Sequence, residues 1–95
     1  MAGYMIADVT VTDPAGFEEY RKLVSATIEA YGGRYMVRGG DTETVEGDWN
    51  PSRLVILEFD SVDQAKAWYY SEEYAGPKEM RHNSATTNAI FVEGL

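Results

Sequence analysis

Asp8, Arg38 and His82 are the side chains of this sequence best suited to chemistry. A carboxylate and an imidazole can each accept a proton, and a guanidinium can hold an anionic group or a developing enolate. Tyr4, Glu58, Trp68 and Tyr69 are the candidates for lining a ligand beside them. His82 is the sole histidine, so one chain cannot supply a metal site of the usual two- or three-histidine type. Glu79 stands three residues before it, a single carboxylate-histidine pair without a companion motif. No metal site and no cofactor is expected, and haem would depend on that one imidazole. A surface histidine is the plainer reading of His82, with a lone general base as the sharper one.

Other motifs are explained by backbone geometry. Gly32-Gly33 and Gly39-Gly40-Asp41 lack the strand-loop-helix setting of a phosphate cradle. Ser61 fits a helix cap better than a nucleophile, because no histidine or lysine base stands near it in sequence. The absence of cysteine excludes disulfides, thiolate nucleophiles and thiolate metal ligands. The formal charge is -8, from sixteen acids and eight bases spread along the chain. That field repels nucleic acid and an anionic membrane surface, so neither is an expected partner. Met1–Asp8 reaches an acid before an apolar run can form, so no signal peptide is expected and a cytoplasmic location is the default.

Ninety-five residues make a single domain over 1–95, and a monomer this small buries only about two-thirds of its unfolded surface. Residues 4–11 alternate as a strand. Asp13-Pro14 then caps and opens a helix whose apolar stripe is Phe17, Tyr20, Val24, Ile28 and Tyr31. Glu18 and Lys22 should pair on its outer face, and Gly32 should end it. A second strand is expected from Arg34 to about Val45, bulged or bent at Gly39-Gly40. Arg53–Phe59 reads as the third strand, and Ser61-Val-Asp-Gln64 has the form of a capping box. The second helix carries Ala65, Trp68 and Tyr69 inward, kinks at 71–74, and restarts at Pro77 through roughly Asn83. Thr87–Glu93 closes as the fourth strand. This βαββαβ order predicts an α+β, ferredoxin-like domain: a four-stranded antiparallel sheet, helices on one face, strands one and three central.

Helices can cover only one face, yet both faces read apolar. Leu54 and Ile56 oppose Val55, Leu57 and Phe59; Tyr4 and Ile6 oppose Ala7, Val9 and Val11; Ile90 and Val92 oppose Ala89 and Phe91. The uncovered face calls for a partner, and a twin subunit on a two-fold axis supplies one, so a homodimer is expected. The same alternation brings Glu58 and Asp8 to that face. Arg34, Met36 and Arg38 can join them, the register of the second strand being open around the paired glycines. Such a charged set is either a structural ion-pair network or a binding site. Trp49, in the turn before Asn50-Pro51, is expected to pack on a neighbour or on the other subunit.

With these residues placed, the chain resembles the domain of unknown function 1330 family (DUF1330) over nearly its whole length. The resemblance rests on Tyr31-Gly-Gly-Arg-Tyr35, Val37-Arg-Gly-Gly40, Glu46-Gly-Asp-Trp-Asn-Pro-Ser-Arg53, Glu58-Phe-Asp-Ser61, and Ala67-Trp-Tyr-Tyr-Ser-Glu-Glu-Tyr74 followed by Arg81. It implies the dimeric α+β barrel superfamily, in which two ferredoxin-like sheets pair; its members include cofactor-independent monooxygenases, isomerases and haem-handling enzymes. Two functional readings stand open. One is a cofactor-independent enzyme or binder of a small aromatic or anionic molecule, in a pocket between sheet and helices. The other is a non-catalytic dimeric module with a structural or ligand-sensing role.

Overall fold

In the computed structural model, which describes residues 1–95, the chain runs β1 (Gly3–Val11), α1 (Pro14–Ala30), β2 (Arg34–Arg38), β3 (Leu54–Phe59), α2 (Val62–Tyr69), α3 (Glu72–Ser84) and β4 (Ala85–Glu93). Local chemistry accounts for most boundaries. Asp13 accepts the Gly16 amide and Pro14 occupies the first helical position, so α1 starts where the sequence requires. Gly32 leaves the helix at φ 75°, a conformation that only glycine enters without strain. Ser61 Oγ accepts the Gln64 amide, but the Gln64 side chain donates to the Tyr31 carbonyl and ties α2 to the end of α1. The capping box is therefore half made. On the outer face of α1, the ion pairs form at spacing three, Glu18–Arg21 and Glu19–Lys22, in place of the expected Glu18–Lys22 pair.

Two expected elements change. The second half of the chain holds two helices, with α3 beginning at Glu72 rather than at Pro77. Ser71 caps it by accepting the Tyr74 amide, and Pro77 is carried inside the helix. β2 stops at Arg38, seven residues short of Val45, because Gly39 turns away at φ 72°. Residues 39–53 then travel without regular structure to β3.

The sheet order is β2-β3-β1-β4, with every neighbouring pair antiparallel. All three helices lie on one face. Phe17, Tyr20, Val24 and Ile28 of α1, Ala65 and Trp68 of α2, and Tyr74 of α3 pack on Met5, Ala7, Val9, Leu57 and Phe59 of the central strands. The molecule is only 16 Å deep along its shortest axis, one sheet plus one layer of helices. The other face keeps Ile6, Leu54 and Ile56 half-buried, and leaves Ile90 at 60% and Met36 at 52% exposure.

Gly33 is a point where this packing tolerates no side chain: a Cβ there would run into the Phe59 ring and stand 2.9 Å from Ile28 Cγ2. Gly33→Ala should therefore destabilise the fold by about 1–3 kcal/mol in urea unfolding, as overpacking of a filled core does. Gly40→Ala, with open space around it, should be close to neutral.

Candidate functional site

Between α1 and the sheet, closed at its inner end by α2 and α3, lies a pocket of about 240 Å³. That is just under the roughly 300 Å³ at which ordinary ligand sites begin, enough for a one-ring molecule. Its walls follow from the apolar stripe of α1 (Phe17, Tyr20, Val24, Ile28) facing Ala7, Val9, Val55 and Leu57, with Tyr35, Trp68 and Tyr74 adding aromatic surface.

Around this apolar space stand five of the chain's eight basic residues, against one acid, Glu18: Arg21, Lys22 and Arg38 are exposed at its rim, and Arg53 and Arg81 are more enclosed. The three ion pairs of the structure involve Arg21, Lys22 and Arg34, which leaves Arg38, Arg53 and Arg81 without a carboxylate. Arg81 is only 4% exposed. Burying a guanidinium without a counter-ion is costly, so a site that does so is poised for an anion. Arg53 has its Nε buried with no acceptor. It lies against Gly39, where a Cβ would stand 2.6 Å from one of its terminal nitrogens.

Arg38 reaches the pocket through an irregularity in β2. The register shifts between Tyr35 and Val37, so Val37 opposes Ile56 and Arg38 opposes Val55 on the helix side. Its guanidinium lies 4.9 Å from the centre of the Tyr35 ring. One inserted residue reverses every later side chain, which separates Arg38 from the Asp8 face that simple alternation can assign it.

The pocket floor is a hydrogen-bonded set. The Tyr20 and Tyr74 hydroxyls are 2.9 Å apart, and Arg81 Nε donates to the Tyr74 oxygen at 3.2 Å. Burial holds both phenols well above their ordinary range, with Tyr74 adding to the effect on Tyr20, so both are neutral at pH 7. His82 lies outside the pocket, exposed on α3, 3.5 Å from an Arg81 terminal nitrogen. Desolvation, then Arg81 and Lys78, lower its pKa.

The remaining sequence candidates divide between two places. Trp68 lines the pocket, whereas Tyr69 turns to a shallow apolar depression with Tyr70 and Phe91, under Lys78. Tyr4, Glu58 and Arg34 meet on the uncovered sheet face, where the Tyr4 hydroxyl donates to Glu58 at 2.8 Å and Arg34 pairs with the same carboxylate. Asp8 shares that face but not that cluster. It sits four residues further along β1, about 13 Å at strand rise. Its carboxylate instead accepts the Trp49 indole N–H and the Ser52 amide, both at 3.0 Å, pinning segment 39–53 to the sheet. Trp49 thus finds its neighbour within the chain, though it stays largely exposed.

Of the proposed catalytic trio, then, only Arg38 is in the pocket. The sequence by itself gives no site role to Tyr20, Arg53 or Arg81, although the last two stand in the family motifs. One signal was readable. Arg81 lies seven residues after Tyr74 on the same helix, so it shares the buried stripe, an unusual place for a charge. The lining holds no histidine, and its one acid is paired to Arg21, so it offers no ligand set for a metal.

The fold and pocket define a class, the ferredoxin-like α+β domains with a cleft between helices and sheet. Within it the chain belongs to the domain of unknown function family DUF1330, which matches residues 2–95. No curated protein matches this chain. Several solved structures share its fold. RPA0582 of Rhodopseudomonas palustris, a protein of unknown function, superposes with a TM-score of 0.78 at 17% identity over 99% of this chain and 82% of that one. SnoaB of Streptomyces nogalater, a cofactor-independent oxygenase, gives 0.66 at 11% identity over 99% and 93%. Rv0793 of Mycobacterium tuberculosis gives 0.59 at 17% over 100% and 96%. At these identities the likeness is one of fold.

The Asp8 anchor gives a pH signature. The Trp49 hydrogen bond, with the Ser52 amide, holds its carboxyl below its ordinary value of 3.8. A depressed folded pKa means the anchor is intact above that value and is lost as pH falls through the folded one. Proteolysis within residues 39–53 should therefore accelerate in acid. Asp8→Ala should show the same fast cleavage already at pH 7.

Proposed function

We propose that this protein binds a small organic anion with an apolar, ring-sized body in the pocket between α1 and the sheet. One observation carries the reading: an acidic chain places five of its eight cations around an otherwise apolar cavity, and three of them have no carboxylate partner. Arg53 and Arg81 hold the anionic end, Arg38 guards the mouth, and Phe17, Tyr35 and Trp68 contact the ring. Neither Asp8 nor His82 faces the pocket, so no free general base stands on its wall. Chemistry in such a pocket would draw on the ligand's own acidity, and SnoaB, a cofactor-independent oxygenase, is an example of this fold working without a cofactor.

Quenching of Trp68 fluorescence by benzoate and 4-nitrophenolate, compared with benzamide and 4-nitroanisole, tests the reading. The anions should bind more tightly. Arg53→Met and Arg81→Met should each weaken them about tenfold, the worth of one charge-assisted hydrogen bond. Equal binding of the neutral analogues, or none by any compound, would remove the basis for an anion site.

We further infer that the working unit is a homodimer closed over the second sheet face. Ile90 and Met36 lie bare beside half-buried Ile6, Leu54 and Ile56, an apolar surface of the kind that marks an interface. Arg34, Glu58 and Tyr4 supply a polar rim. Sedimentation at micromolar concentration should give twice the chain mass of 10.6 kDa, and Ile90→Glu should shift it to monomer. A stable 10.6 kDa species for the unmodified protein is the contrary result.

A further inference from the structure

The floor of the pocket has a proton to spare. Tyr20 and Tyr74 share one hydrogen bond, and neither hydroxyl has another acceptor in the protein. Two phenolic protons therefore serve one bond, and whichever oxygen donates, one proton remains free. Arg81 decides which. Its Nε donates to the Tyr74 oxygen, which favours Tyr74 giving its own proton to Tyr20, since donors in a chain polarise one another. The spare proton then belongs to Tyr20, which at 9% exposure is the more open of the two, Tyr74 being at 0%. The chain runs from a guanidinium through two hydroxyls and ends as a charge-assisted donor at the cavity.

This donor suits one oxyanion better than a carboxylate. Arg81 has already committed Nε to Tyr74, and one terminal nitrogen faces His82, so one of the two bidentate edges of its guanidinium is taken. The charged groups around the pocket are Glu18, Arg21, Lys22, Arg38, Arg53 and Arg81, a balance that also favours a negative ligand. Flat aromatic walls favour a ring.

We propose that the pocket binds a hydroxylated aromatic ring as its phenolate, with the Tyr20 hydroxyl donating to the phenolate oxygen and Arg81 polarising it through Tyr74. On binding, the ligand O–H bond breaks, its proton leaves to water, and the electron pair stays on the oxygen. The pocket thereby makes its ligand electron-rich without a protein base. The inference rests on the anion-binding reading above and adds the ligand class and the role of Tyr20, a residue that touches the ligand.

The test is a pH titration of 4-nitrophenol absorbance with and without saturating protein, with 4-nitroanisole as the analogue that cannot ionise. The bound phenol should ionise about one pH unit below the free one, a tenfold preference for the anion. Tyr20→Phe and Tyr74→Phe, both nearly isosteric, should remove most of that shift. A phenol that binds but ionises at its free pH overturns this inference and leaves the pocket reading standing. A shift that survives Tyr20→Phe also overturns it, and assigns the effect to the arginines alone. Failure of both compounds to bind overturns the two readings together.

Discussion

Arg81 is the residue around which the helical layer is organised. A guanidinium cannot give up its charge in the way a buried lysine or carboxylate can, so its surroundings must supply acceptors or an anion. The protein supplies one phenolic oxygen, from Tyr74, and the edge of His82. Tyr74 is in turn held by Tyr20 through its hydroxyl and by Trp68 through a ring contact at 4.1 Å between centroids. One charge in the core thus fixes the positions of α1, α2 and α3 relative to one another, and leaves a positive, partly satisfied floor under an apolar cavity. The same partial satisfaction that would weaken a purely structural core is what the proposed anion site draws on.

The two faces of the sheet answer to different demands. The helix-covered face gathers cations around a cavity, three of them without a carboxylate partner. The other face spends its charges on each other: Glu58 is satisfied by both Tyr4 and Arg34, and Asp8 by Trp49 and Ser52. Polar groups that are fully engaged support association or hold a strap in place; polar groups left over are available to a ligand. This difference separates a structural network from a binding site here more clearly than the number of charged residues does. On the proposed reading, one face takes the partner subunit and the other the small molecule.

The fold itself carries little of this. RPA0582, SnoaB and Rv0793 keep the same βαββαβ scaffold at 11–17% identity, so likeness of scaffold does not define what this chain's cavity contains. What recommends a phenolic or other organic anion for this chain is its own set of side chains. The cavity is aromatic where a ring would lie and cationic where an oxygen would lie.

The sequence alone determined whatever is local or periodic. Asp13-Pro14, Ser61 and Gly32 marked helix ends because caps and left-handed turns act within a few residues, and period-two alternation sorted β1, β3 and β4 onto two faces. Tertiary structure decided the rest. The register shift after Tyr35 sends Arg38 to the helix side, since a single extra residue inverts a strand's faces and no local preference announces it. Pro77 was absorbed into α3 because the Ser71 cap starts the helix upstream of it. Tyr20, Tyr74 and Arg81, 54 and 61 residues apart when counted from the first, became one hydrogen-bonded floor only when α3 packed on α1. A hydrogen bond between distant residues depends on where whole helices come to rest, and that is set by the packing of the entire core.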